Sequence, residues 1–268
     1  MRSIAFIGAG SMAEAVMAGI VEQGVLEPKN IFVTNKSDEK RLLSLKQQYG
    51  ISILTDKYLL HEVDLIVFAT KPKDIQKAMA DTAPFINEQA AILSVIAGVS
   101  IQTLENGLGN RPIARSMPNT SATIGKSATG VAMNVAVDDD MRRHILGLLG
   151  GIGLVKEVEE DDLHAVTALS GSGPAYVYYL AEALEAAAMT KGLSKDVARE
   201  LIIQTIEGAA AMMRQTKTEP AELRKHVTSP NGTTEAGLKA LEGRLFKEAI
   251  AECIDKAEAR SRELGVLS

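Results

Sequence analysis

The chain has 268 residues, 46% hydrophobic and 24% charged, with a formal net charge of −5. That length holds one large domain or two ordinary ones, and the charge leaves no basic footprint for nucleic acid. The single cysteine, Cys253, rules out an internal disulfide and a multi-cysteine metal site and fits a reducing, cytoplasmic setting, while no apolar run approaches the roughly 20 residues that span a bilayer.

Ile4–Ile7 is apolar but runs straight into Gly8, so it reads as a buried first strand rather than a targeting segment. Met12–Glu22 has the spacing of a helix, Ile31–Thr34 of a second strand, and Glu39–Gln48 of a charged amphipathic helix that stops at Tyr49-Gly50. Ile51–Leu54 follows, then a short helix around Lys57–His61. Further strands are expected at Leu65–Thr70, Ala91–Val95, Arg111–Ser116 and Ala128–Asn134. Strands alternating with helices imply parallel pairing, hence an α/β doubly wound sheet. From Leu163 the chain is rich in Ala, Leu, Met, Glu and Lys with helical apolar spacing and no strand pattern. The division falls near Asp161–His164, giving 1–162 and 163–268. Small residues such as Ala186–Ala188 and Ala209–Ala211 predict a tight helical bundle, one that two subunits can share.

Gly8-Ala9-Gly10-Ser11-Met12-Ala13 matches G-x-G-x-x-A between a strand and a helix. Gly8 permits the tight turn, Gly10 lets the backbone approach a pyrophosphate, and Ala13 keeps helix and strand close. The helix N-terminus supplies free N–H groups and a partial positive charge. At the end of the second strand, NAD sites usually carry Asp or Glu. This chain has Asn35-Lys36-Ser37, with no carboxylate before Asp38. One positive charge and several donors suit a 2′-phosphate, so NADPH is expected over NADH. The alternative is a solvated turn capped by Ser37 or Asp38.

Three loops follow strand ends: Ala69-Thr70-Lys71-Pro72, Ala97-Gly98 and Met117-Pro118-Asn119-Thr120. Loops at the carboxyl ends of strands line the ligand crevice of open α/β sheets, and the Asn119 amide can bond a ribose or a carboxamide. Ser170-Gly171-Ser172-Gly173-Pro174-Ala175-Tyr176 opens a long helix with Pro174 near its first turn. Val227–Glu242 sets hydroxyls and glycine before another helix, an arrangement suited to a carboxylate. The alternative there is an N-cap made by Thr233 or Thr234. The four histidines show no spacing for a metal site, and none is expected.

Val227–Glu242 closely resembles the V-T-S-P-G-G-T-T…G-L…L-E pattern of pyrroline-5-carboxylate reductases, and the five motifs above agree in order and spacing along essentially the whole chain. The resemblance implies a Rossmann domain followed by an all-α dimerisation and substrate-binding domain. It also implies a homodimer or ring of dimers, with active sites between the domains completed by the partner subunit. The implied reaction is reduction of the cyclic imine 1-pyrroline-5-carboxylate to proline by NADPH, with NADH as the alternative donor. Carried over by position, Gly8, Gly10, Ser11, Met12 and Ala13 hold the pyrophosphate, and Asn35, Lys36 and Ser37 sit by the adenosine ribose. Ala69, Thr70, Lys71, Pro72, Ala97 and Asn119 line the nicotinamide side. Ser172 and Gly173 begin the substrate-facing helix. Ser229, Gly232, Thr233 and Thr234 surround the substrate, with Thr234 as hydrogen-bond partner to the ring nitrogen. The chain departs from the pattern at Ser11, Ser121 and Asn231, where Asn, Pro and Gly are usual; Asn is the residue after Gly most tolerant of positive φ.

A hydroxy-acid dehydrogenase would place a general acid/base Lys on the long helix, but the first Lys after Pro174 is Lys191, at its far end. A non-catalytic NADP-binding paralogue would lack Gly232 or Thr234, and both are present.

Overall fold

The computed structural model describes residues 1–266. Cα packing divides the chain into two compact units: Met1–Pro174 together with the C-terminal turns from Asp255 onward, and Ala175–Ile254. Leu163–Pro174 and the end of the last helix thus pack with the sheet, although sequence spacing assigns everything after residue 162 to the helical part.

The first unit is an eight-stranded sheet. Its strands are β1 (Ile4–Ile7), β2 (Ile31–Thr34), β3 (Ser52–Ile53), β4 (Leu65–Phe68), β5 (Ala91–Ser94), β6 (Ile113–Met117), β7 (Ser127–Met133) and β8 (Gly153–Glu157), in the order β3-β2-β1-β4-β5-β6-β7-β8. The first six pair in parallel. Strand β7 runs antiparallel to β6, which corrects the expectation of uniformly parallel pairing. Only a short 3₁₀ turn at Thr120–Ile124 separates the two strands, and a parallel crossover needs a dozen or more residues. Strand β8 then pairs in parallel with β7.

Every residue of β1, β4 and β5 is buried. Alternate side chains feed two cores. Ile4, Phe6, Val67 and Leu93 face one layer, with Val16, Met17 and Ile20 of α1 (Ser11–Glu22). Ala5, Ile7, Ile66 and Phe68 face the other, with Met79 of α3 (Ile75–Thr82) and Leu104 of α4 (Ile101–Leu108). Burial on both sides explains why these strands are continuous apolar runs. Helix α2 (Glu39–Tyr49) starts at Asp38, whose side chain accepts from the Arg41 N–H, and α5 (Asp139–Gly150) is capped in the same way by Asp138. The single turn α6 (Leu163–Val166) continues into a π-helical stretch at Thr167–Gly171.

The second unit contains most of α7 (Gly173–Thr190), α8 (Lys195–Thr216), α9 (Pro220–His226), α10 (Thr233–Glu242) and the first turns of α11 (Phe246–Val266). Glu185 on α7 pairs with Arg199 on α8 at 2.9 Å. Helix α7 has no buried residue, and Val177, Leu180, Leu184, Leu201, Ile203 and Met212 are exposed. Apolar helix faces of this extent are the faces of an incomplete bundle. No described helix is long and apolar enough to cross a membrane.

Candidate active site

In a sheet of this order the switch point lies where the chain passes from one side of β1 to the other, between the carboxyl ends of β1 and β4. The G-x-G loop sits there. The Gly8 N–H donates to the Thr34 carbonyl at 2.9 Å, and the Ala69 N–H donates to the Ile7 carbonyl at 3.0 Å. Three expected loops are therefore adjacent: Gly8–Ala13, Asn35–Ser37 and Ala69–Pro72. Gly8 has φ +120, and a Cβ there would lie 2.4 Å from the Ala69 carbonyl oxygen.

Gly10 differs. Its φ is −75, which any residue adopts, and a Cβ there would meet nothing within 4 Å. Nothing in the protein calls for glycine at this place. The open space lies at the start of α1, which has no side-chain cap. A pyrophosphate fits both facts: it needs close backbone approach and it accepts from uncapped N–H groups.

The Asn35–Ser37 loop is more ordered by itself than spacing implied. The Asn35 Oδ1 accepts from the Ser37 and Asp38 N–H groups at 3.1 and 2.9 Å, and its Nδ2 donates to the Asp38 carbonyl at 2.8 Å. Asn35 thus builds the turn that Asp38 caps. Lys36 and Ser37 stay exposed, with the Lys36 ammonium 3.4 Å from Asp74. Arg41, which sequence reading did not single out, donates from Nε to the Ala9 carbonyl at 3.1 Å and pairs with Glu14. It ties the start of α2 to the Gly8–Ala13 loop and to α1.

In the Ala69–Pro72 loop, Thr70 has a buried hydroxyl with no hydrogen-bond partner among the described residues, while Lys71 and Pro72 are exposed. The Asn119 side chain is tied into the fold: Nδ2 donates to the Ser170 carbonyl at 2.9 Å and Oδ1 accepts from the Ser121 N–H at 3.0 Å. It fastens the β6 end to the Ser170–Tyr176 motif. Ala97, Gly98 and Ser172 share one cleft of about 300 Å³ with Thr167, Ala257, Arg260, Ser261 and Leu264. The last four belong to α11, whose return to the sheet no local sequence signal announced. Gly98 has φ +80, and a Cβ there would lie 3.1 Å from Leu264 and Gly265 backbone atoms. His164 Nδ1 and Ser261 Oγ are 2.9 Å apart.

The Val227–Glu242 segment lies in the second unit. The Gly232 N–H donates to the Ser229 carbonyl at 3.0 Å, closing a turn with Pro230 and Asn231 in the middle. Asn231 has φ +58, so the departure from glycine falls at a residue that needs positive φ and has the side chain best suited to it. The N-cap of α10 is Gly232, without a side-chain cap. Thr233 and Thr234 therefore do not cap the helix, and both are exposed at its first turn. Among the described residues no cluster of His, Cys, Asp and Glu could hold a metal ion.

Residues 160–264 match the family described as pyrroline-5-carboxylate reductase dimerisation, and residues 3–98 match that of coenzyme F420-dependent NADP oxidoreductases. The chain is 45% identical over 267 residues to pyrroline-5-carboxylate reductase 2 of Bacillus subtilis, covering 98% of this chain and 95% of that protein. With reductase 1 of the same organism it shares 42% over 265 residues, covering 98% and 89%. The solved pyrroline-5-carboxylate reductase of Coxiella burnetii superposes with a TM-score of 0.91 at 36% identity, covering 98% of both chains. The Plasmodium falciparum pyrroline carboxylate reductase, solved with NADP bound, gives 0.89 at 27%, again covering 98% of both. Similarity of this depth over nearly the full length shows that the chain belongs to the pyrroline-5-carboxylate reductase family, homodimeric NAD(P)H-dependent oxidoreductases of proline biosynthesis that reduce the C=N bond of 1-pyrroline-5-carboxylate.

Proposed function

We propose that this chain performs the reaction with NADPH as preferred donor, NADH serving as the weaker alternative. The Gly8–Ala13 loop and the uncapped start of α1 bind the pyrophosphate. Lys36 and Ser37 take the 2′-phosphate, and Asn35 shapes the turn that presents them. Ala69, Thr70, Lys71, Pro72, Ala97 and Asn119 form the nicotinamide side, Asn119 through its backbone and its hold on Ser170. Bound there, the nicotinamide supplies the hydride.

Ser172 and Gly173 face the substrate. Ser229, Gly232, Thr233 and Thr234 bind its carboxylate and nitrogen at the start of α10. The hydride adds to the imine carbon, and the nitrogen gains a proton, so C=N becomes CH–NH. A threonine hydroxyl is too weak an acid to donate that proton alone at neutral pH, so Thr234 positions the nitrogen and water supplies the proton. This economy suits a reaction in which the cofactor carries the reducing equivalent.

In functional terms the nucleotide-binding part is 1–162 and the dimerisation and substrate-binding part 163–268. The exposed apolar faces of α7 and α8 support the dimer, and larger rings built from dimers are inferred from the family resemblance. One cysteine fits a cytoplasmic location.

The observation that carries the substrate assignment is the glycine cap of α10, which leaves Thr233 and Thr234 free for a ligand. The test is steady-state oxidation of NADPH and NADH with pyrroline-5-carboxylate by the wild type, Thr234→Ser and Thr234→Ala. We expect Thr234→Ser to keep most of kcat and Thr234→Ala to lose at least about tenfold, the scale of a lost positioning hydrogen bond. Full activity in Thr234→Ala removes that residue from the site.

A further inference from the structure

Glu160 lies between β8 and α6, outside every motif above. Its Oε1 accepts from the Ile101 backbone N–H at 2.7 Å and stands 3.2 Å from Nη1 of Arg115. Ile101 is the first residue of α4, directly after Ala97–Ser100. Arg115 lies on β6, the strand that leads to Asn119, and its side chain is only 5% exposed. Glu160 is its one ion-pair partner among the described residues.

One carboxylate oxygen therefore joins the start of α4, just after the Ala97–Ser100 loop, to the middle of β6. The α4 N-terminus is held twice, by Glu160 at Ile101 and by the Ser100 hydroxyl, which accepts from the Thr103 N–H at 3.0 Å. Gly98 of the same loop rests on the end of α11. Loss of the carboxylate would leave a buried guanidinium without its anion and a helix N–H without an acceptor, and both groups would move to find water.

We propose that Glu160 is a positioning residue for hydride transfer: through Ile101 N–H and Arg115 it holds the Ala97–Ser100 loop and the β6 end in the register that sets the nicotinamide against the substrate. The proposal rests on the assignment of Ala97 to the nicotinamide side. It concerns alignment of the reacting carbon atoms, where small displacements cost large factors in rate.

The full-length protein with Glu160→Ala and Glu160→Gln tests it, with Ala97→Leu as a control on the loop. Three quantities are read: kcat, the primary deuterium isotope effect with NADPH labelled at the transferred position, and affinity for NADP⁺ against 2′-phospho-ADP-ribose, which lacks nicotinamide. In Glu160→Ala, kcat falls at least about tenfold, the scale expected of misaligned reactants. The isotope effect rises as chemistry becomes slower than product release, and 2′-phospho-ADP-ribose binds as in the wild type. Glu160→Gln keeps an acceptor for Ile101 but not the charge, so it falls between the two; it serves alone if the alanine variant does not fold. Unchanged kcat and isotope effect in the folded variants overturn the role of Glu160, as does an equal loss of affinity for the nicotinamide-free ligand. Ala97→Leu separates the two assumptions: it should weaken NADP⁺ and spare 2′-phospho-ADP-ribose, and if it affects neither ligand, the placing of the loop beside nicotinamide fails first.

Discussion

Gly8 and Ala69 meet backbone to backbone: a Cβ on Gly8 would stand 2.4 Å from the Ala69 carbonyl oxygen. The Gly8–Ala13 loop is seated directly on the end of β4, so the geometry of one depends on the other. Gly8→Ala combines this clash with a φ of +120 that L-residues rarely adopt. We expect a loss of about 2 kcal/mol or more in stability, read as a fall in Tm, together with loss of NADPH binding.

Gly10→Ala should behave in the opposite way on stability. Its φ of −75 suits alanine and its Cβ would meet open space, so Tm should hold or rise with a gain of up to about 1 kcal/mol. NADPH affinity should nonetheless drop by at least about tenfold, because the new methyl occupies the space of close pyrophosphate approach. Calorimetric binding beside a thermal melt checks both halves. A Gly10→Ala protein that binds NADPH normally would remove the pyrophosphate from this loop.

Lys36 and Asp74 form an exposed pair at 3.4 Å, so neither contributes much to stability. Their effect should fall on cofactor choice. Lys36→Ala is expected to lower kcat/KM for NADPH by about tenfold, the scale of one charge-assisted hydrogen bond, and to leave NADH nearly unchanged. Asp74→Asn removes the competitor for Lys36 and should raise the NADPH-to-NADH ratio a few-fold. Equal effects on both cofactors would place Lys36 away from the 2′-phosphate.

His164 supplies a pH dependence. Burial lowers its pKa from the ordinary 6.5, and the positive charges of Arg115 and Arg262 push the same way, against Asp161 and Glu258. The unfolded chain therefore binds this proton at a higher pH than the native one. The stabilisation is complete above the unfolded value and is lost as pH falls from there through the lowered native value. Tm should decline as pH falls below the ordinary 6.5 of a free histidine, and His164→Gln should flatten that part of the profile. Asp161 is held below its ordinary 3.8 by Arg262, so its own loss comes in a separate, more acidic window.

How much of this was legible in the sequence depended on how local each signal was. Strands β1, β4 and β5 are buried on both faces and announce themselves as unbroken apolar runs. Strand β8 does not, because it lies at the sheet edge with Leu154 exposed and ends on the charged pair Lys156-Glu157. The loops that follow strands were found because glycine and proline mark them. What those loops lean on was invisible: Arg41 on Ala9, Glu160 on Ile101, and α11 on Gly98 join residues far apart in the chain. Asn119 belongs with them, since its hold on Ser170 likewise joins residues far apart in the chain. Asn231 shows the opposite case, where a single unusual residue predicted its own backbone angle.

The return of α11 to the sheet has a consequence for the order of events during synthesis. The turns from Asp255 onward pack with Met1–Pro174, yet ribosomes make them only after all of Ala175–Ile254. Domains ordinarily settle as they emerge, N-terminal first. Here the nucleotide-binding half must wait, its Gly98 loop and His164 uncovered, until the whole helical half has been made. The long-range contacts that finish it are slow to form for the same entropic reason. A nascent chain stalled before residue 255 would therefore carry an unfinished Ala97–Gly98 cleft.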